Sequence, residues 1–240
     1  SNVGIGYEAL KANTTADDNI GIGRLSAVTT TTGSSNIAIG ARSLYSNSTG
    51  SNSVAIGKDA AMSILTGEIT AVGYRALKQA TGGDNAALGW NAGSSLTSGT
   101  WSTFIGYQAG NYVTTGTGNS FFGSSSGFGT TTGGNNTLLG TYTGYAITTG
   151  SNNTTLGYRA GWISNSNFDI TTGSNNTLIG YQASASSATV SNEVTIGDTN
   201  VTKFRIPGIN FVIKDTTATD NYVLTVDANG EAGWEAAAGG

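Results

Sequence analysis

Thr171–Ala183 reads T-T-G-S-N-N-T-L-I-G-Y-Q-A, and the apolar residue followed by glycine near its centre, Ile179-Gly180, returns throughout the chain. The same kind of pair stands at Ile5-Gly6, Ile22-Gly23, Ile39-Gly40, Ile56-Gly57, Val72-Gly73, Leu88-Gly89, Ile105-Gly106, Phe122-Gly123, Leu139-Gly140, Leu156-Gly157 and Ile196-Gly197. Eight of the eleven intervals between these glycines are 17 residues, two are 16 and one is 23. A period held over twelve copies marks a solenoid, in which each repeat is one turn stacked on the next.

Positions within a repeat are counted from the central glycine as zero. Position −1 is apolar in all twelve copies, and −3 is Val3, Ile20, Ile37 or Val54 early but Thr137, Thr154 or Thr177 later. Alternation with period two predicts a short strand whose −3 and −1 side chains share a face, and that face is expected to be the interior. Position +3 is small, as in Ala60, Ala76, Ala92 and Ala160, while +4 passes from Leu10, Leu44 and Leu77 to Gly93, Gly110, Gly127, Gly144 and Gly161. Either the interior narrows along the axis or its packing partner changes.

Asn recurs at −4 (Asn19, Asn36, Asn85, Asn119, Asn136, Asn153, Asn176) and a second Gly at −7 (Gly33, Gly50, Gly99, Gly133, Gly150, Gly173). Both residue types supply the positive φ of tight corners, so each repeat reads as strand, glycine corner, short second strand, Ser/Thr loop and Gly-Asn corner. Stacked Asn and Thr are expected to form ladders along the axis. The 23-residue interval adds about six residues around Trp162–Ile170, a bulge from one face and a place where solenoids often bind partners.

After Gly197 the period stops. Phe204-Arg205-Ile206, Phe211-Val212-Ile213 and Tyr222–Val226 read as strands, and Asp227–Gly230 as a turn leading to Glu231–Trp234. The expected organisation is therefore all-β: a parallel β-roll or β-helix of 17-residue turns over 1–200, then a β cap or junction over 201–240 with a Gly/Ala-rich end. The chain opens in mid-repeat with Ser1-Asn2-Val3, as expected of a fragment or processed form of something longer.

Composition narrows the chemistry. There is no Cys and no His, so thiol nucleophiles, imidazole bases and the usual soft metal ligands are missing. A net charge of −4 opposes binding to nucleic acid or to an anionic membrane, and no apolar run approaches the length of a membrane span. Gly4-Ile5-Gly6 imitates a dinucleotide loop, but it recurs as a corner with nothing helical after it. Asp17-Asp18-Asn19 and Asp84-Asn85 lack the oxygen spacing of calcium loops and read as solvated turns. Eight acids are scattered through the repeats, and none recurs as the carboxylate pair a glycosidase needs. No catalytic residue, metal or cofactor is expected. Thr runs such as Thr130–Thr132 raise ice binding, but they fall in the corner loop.

The better lead is position +1, where Tyr74, Trp90, Tyr107, Tyr158 and Tyr181 follow the corner, opposite in phase to the inward −1 residue. Such a row either stacks on sugar rings or packs between subunits. Together with Trp162 and Phe168 of the insertion, these are the candidate binding residues. Each rung orders 17 residues around two to four inward side chains, many of them Ala or Thr, so burial against sister chains is expected as a homo-oligomer.

The recurring N-N-T-x-[LI]-G-Y-x-A-G, best seen at Asn153–Gly161 and Asn176–Ala183, resembles repeats of phage tail-fibre proteins, which often precede a C-terminal intramolecular chaperone of the endosialidase type. Ser53-Val54-Ala55-Ile56-Gly57-Lys58-Asp59-Ala60 is also similar to the head repeat of trimeric autotransporter adhesins, though the period here is longer. The resemblance covers 1–197 and implies a left-handed homotrimeric coil, other virion or fibre proteins as partners, possible contact with host-surface glycan, and a place on a virion or cell surface.

Overall fold

The computed structural model describes residues 1–65, 68–164 and 167–203, with two further strands at 222–226 and 232–236. The chain divides into two compact units, Ser1–Val201 and Thr202–Gly240. The first is a β-solenoid. Its strands β1 (Val3–Ile5), β2 (Ile20–Ile22), β3 (Ile37–Ile39), β4 (Val54–Ile56), β5 (Ile69–Val72), β6 (Asn85–Leu88), β7 (Thr103–Ile105), β8 (Ser120–Phe122), β9 (Thr137–Leu139), β10 (Thr154–Leu156), β11 (Thr177–Ile179) and β12 (Val194–Ile196) form one parallel sheet in chain order. No helix occurs among the described residues. The central glycines set the register, so that Ala55 lies beside Ala71 across a 16-residue interval and Thr155 beside Leu178 across the 23-residue one. In the second unit β13 (Tyr222–Val226) and β14 (Ala232–Ala236) pair antiparallel as the sequence suggests. The expected strands at 204–206 and 211–213 lie outside the described residues.

The strand phase is the reverse of the one expected. Position −2 faces the interior: Ala38, Ala55, Ala71, Ala87, Phe104, Phe121, Leu138, Thr155 and Leu178 are all buried. Positions −3 and −1 point outward, with Leu88 51% and Ile196 52% exposed. Alternation assigns alternate residues to one face but is silent on which face is inside. The interior is too thin for two branched side chains per strand, so the single −2 residue takes it.

Among the described residues no second strand follows the corner either. Positions +2 and +4 both adopt left-handed backbone, as in Gln108 (φ 55°) and Gly110 (φ 60°), and the chain runs through successive tight turns. These turns still ladder to their neighbours. Around Gly106 the amides of Gly106 and Gln108 donate back to the carbonyls of Leu88 and Trp90, each at 2.8 Å, while Gly110 and Thr114 donate forward to Ser126 (2.9 Å) and Thr131 (2.8 Å). Between them, Ala109 and Val113 close intra-turn bonds to Gly106 and Gly110. These donors are thereby satisfied without strand geometry.

The two recurrent glycines act differently. The central glycine has positive φ (138° at Gly106), and a Cβ there would lie 2.4 Å from the carbonyl oxygen of Gly123 in the next turn. The −7 glycine is not left-handed; a Cβ on Gly133 would lie 2.3 Å from the oxygen of Gly150, so close stacking alone demands it. Nor does the −4 Asn supply the positive φ, which falls one residue earlier, as at Asn135 (φ 56°). The Asn side chain instead joins turns. Asn136 Nδ2 donates to the carbonyl of Gly150 at 2.9 Å and its Oδ1 accepts the amide of Asn153 at 2.9 Å, with all these asparagines buried. Thr97, Thr114, Thr131 and Thr148 form a parallel hydroxyl ladder to the carbonyls of the following turn.

The interior keeps its width while its occupants trade places. Where −2 is Ala38 or Ala71, +4 is Leu44 or Leu77; where −2 is Phe104, Phe121 or Leu138, +4 is Gly110, Gly127 or Gly144. A Cβ on Gly127 would meet the Phe121 ring at 2.3 Å. Phe104 and Phe121 contact edge to face at 5.5 Å, and Thr155, polar at −2, meets the hydroxyl of Thr143 inside.

Two predictions follow from this packing. Phe121→Ala should cost about 3 to 5 kcal/mol by cavity formation, and adding Gly127→Leu should recover part of it, because Leu44 and Leu77 already hold that backbone (each φ 48°). Denaturant unfolding of the four-member cycle reads the coupling, and strict additivity would refute the exchange. Asn136→Ala should cost about 2 to 4 kcal/mol by orphaning two buried backbone groups, and Asn136→Ser less, since Ser102 fills the same position and accepts the amide of Asn119 at 3.2 Å.

Candidate functional site

The corner turns place the +1 residue just past the glycine on the outer surface. Trp90, Tyr107, Tyr158 and Tyr181 are exposed, while Tyr74 is half-buried. They point outward as expected; the −1 residue, expected to face inward, is turned outward as well. Their rings stack along the axis: Tyr74 on Trp90 at 5.8 Å, Trp90 on Tyr107 at 5.0 Å with planes 9° apart, and Tyr158 on Tyr181 at 5.8 Å. Ser124 and Thr141 hold the same position in between and split the row in two. In the first stack the rings cover each other's faces and leave edges to solvent. Faces spent on one another are not offered to a sugar.

The second stack is joined by Trp162, a candidate from the sequence, and by Phe128, Tyr145, Tyr142 and Tyr112, which sequence reading passed over. Phe128, Tyr145 and Trp162 recur at +5 and lie in file, Phe128 stacked on Tyr145 at 4.9 Å and Tyr145 tilted against Trp162 at 4.6 Å, and Tyr112 meets Phe128 edge-on at 4.8 Å. Tyr142 touches Tyr145, Tyr158 and Trp162. Burial in this nest pushes the Tyr145 phenol up, and Tyr142 and Tyr112 add to the effect. Arg159 stands among them, its guanidinium carbon 4.9 Å from the Trp162 ring centre, 5.3 Å from Tyr158 and 6.0 Å from Tyr142. The recurrence of Tyr45, Phe128, Tyr145 and Trp162 at one repeat position was the signal that would have found the nest. Trp101 was missed too. It is 70% exposed in left-handed backbone (φ 56°), at a corner that most turns give to Asn, Asp or Ser.

The insertion leaves the coil cleanly. Gly161 donates to Ala183 of the next turn, Ile170 donates back to Gly161 at 3.2 Å, and the ladder resumes at Thr171. Asp169, buried, accepts the amide of Ile163 at 2.6 Å inside the loop. Phe168 is exposed and, with Ile163, Ala185, Val194 and Ile196, lines a hollow of about 580 Å³ against the last turn. Glu193 borders it, accepting the amide of Ser186 at 2.9 Å and the hydroxyls of Ser186 and Thr195. Burial pushes the Glu193 carboxyl up, but these donors outweigh it and hold the group below its ordinary value of 4.5.

The acid-Asn pairs weighed for calcium are corners: Asp84 is the left-handed residue (φ 60°) and Asn85 is spent on the ladder, donating to Gly99 at 2.9 Å. Asp59 is fully buried, held by Arg42 at 2.7 and 3.0 Å with Arg75 at 3.8 Å on the other side. These three charges lie at +2 of successive turns and lock them together.

Compared with models of protein families, with curated proteins and with solved structures, the chain matches none.

Because the folded Glu193 pKa is depressed, its contribution to stability is present above the ordinary carboxyl range and lost as pH falls through the lower folded value. The Ser186 amide resonance should therefore titrate with a midpoint below 4.5, and Glu193→Gln should abolish that transition. A midpoint at or above 4.5 would count against the network.

Proposed function

We propose that this chain is a structural segment of an attachment fibre, assembled as a homotrimer about its outward sheet face and acting without catalysis. One observation carries the reading: across twelve turns the outward −3 and −1 positions hold only Val, Ile, Leu, Phe, Ala, Thr and Ser, with no charge anywhere. At about 4.8 Å per turn that face runs roughly 55 Å, far longer than the apolar patches monomers tolerate. A periodic face has a natural occupant in a second copy of itself, since an in-register sister presents the same apolar pair at every level. Three chains around an axis close the set. The setting in a virion, with other fibre proteins as neighbours, rests on the tail-fibre resemblance of Asn153–Gly161 and Asn176–Ala183. The insertion and the aromatics on the remaining surface would then meet the host.

Sedimentation equilibrium should return three times the 24.2 kDa chain mass. Ile39→Asp combined with Ile105→Asp, both on the outward face, should split the assembly, because an unpaired charge would be buried at the axis. Thr132→Asp, on the exposed threonine corner, should leave the mass unchanged. A stable monomer of the unaltered chain would end this reading.

A further inference from the structure

Among the arginines at +2, Arg42 and Arg75 share the buried carboxylate of Asp59, whereas Arg159 has Tyr142 and Gln182 as its neighbours in the adjoining turns. Among the described residues no carboxylate lies within ion-pair distance of Arg159, and its Nε makes no hydrogen bond. Ring contacts engage the face of a guanidinium, so with Nε buried it is the terminal Nη1 and Nη2 donors that a carboxylate would meet. Tyr158 and Tyr181 beside it are 42% and 58% exposed. Tyr181 ends its stack, because the next turn places Asp198 at that position, so among the described residues one face of its ring is covered by no other aromatic.

We propose that Arg159, with Tyr158, Tyr181 and Trp162, forms a binding site for a carboxylated pyranose, a uronic or sialic acid unit of a surface glycan. The guanidinium pairs with the carboxylate and the rings pack against the apolar face of the sugar. A single cation on a chain of net charge −4 suits a monoanion and disfavours polyphosphates, which need several. Clustered rings suit a flat pyranose better than an extended peptide. The site deepens the attachment reading and rests on it, since it names the chemistry met at the surface.

The experiment is saturation-transfer NMR with titration of the full chain against the methyl glycosides of glucuronic acid and N-acetylneuraminic acid, each beside its methyl ester, with acetate as a competitor. At least one acid should bind and its ester should not, and raising the salt should weaken the complex. Arg159→Gln should lower affinity about tenfold or more, as expected for loss of a charge-assisted fork. Its melting temperature should not move, because Gln108 and Gln182 already occupy +2 (φ 55° and 50°). Trp162→Ala should weaken binding as well. Equal binding of acid and ester, an unchanged Arg159→Gln variant, complete competition by equimolar acetate, or no binding of either acid would each overturn the site. None of these would disturb the trimer, whose mass is measured separately, and binding by a chain that proves monomeric would remove the fibre reading while keeping the site.

Discussion

The hydrogen-bond ladder between successive turns is the constraint on which the rest depends. It holds neighbouring backbones at one spacing over the whole length of the solenoid, through strands, tight turns and corners alike. Wherever two turns stack directly above one another, a side chain would strike the carbonyl of the next turn; this is why glycine recurs at both the central and the −7 positions. Where the backbone turns away from its neighbour, side-chain amides and hydroxyls complete the ladder. The buried asparagines from Asn119 to Asn176 and the threonines from Thr97 to Thr148 are thus part of the backbone's hydrogen bonding more than of the core.

The same constraint keeps the interior thin. Each strand contributes one inward side chain, and its size is balanced against the residue at +4, so Phe121 and Gly127 fill together what Ala71 and Leu77 fill elsewhere. The larger share of the strand's apolar surface is turned outward, on a sheet of twelve strands three or four residues long that leaves it uncovered. Hydrophobic surface of that extent calls for burial against something, and its regularity favours an identical partner.

Charge and aromaticity are used sparingly and in layers. Arg42, Asp59 and Arg75 bind three consecutive turns through a buried carboxylate. Arg159 occupies the equivalent place where no acid follows, among rings that gather at the root of the insertion. One repeat position thereby serves as a structural clamp in one part of the solenoid and holds a half-buried cation among aromatic rings in another.

The fold class, the turn length, the corner at the central glycine, the place of the insertion and the strand at Tyr222–Val226 were legible in the sequence, because a stacked coil repeats its steric demands at a fixed interval and glycine records them. Which strand face lies inside was not. Val54 and Ile56 look like core residues beside Ala55, and only the width left between opposing walls decides that alanine goes in and the larger pair goes out. The aromatic nest was hidden for a related reason: Phe128, Tyr145, Trp162 and Arg159 are scattered along the chain, and only stacking one turn on the next brings rings 17 residues apart to within about 5 Å. Periodicity belongs to the chain, whereas the choice between inside and outside belongs to the packed interior, where volume and not hydrophobicity is the limiting quantity.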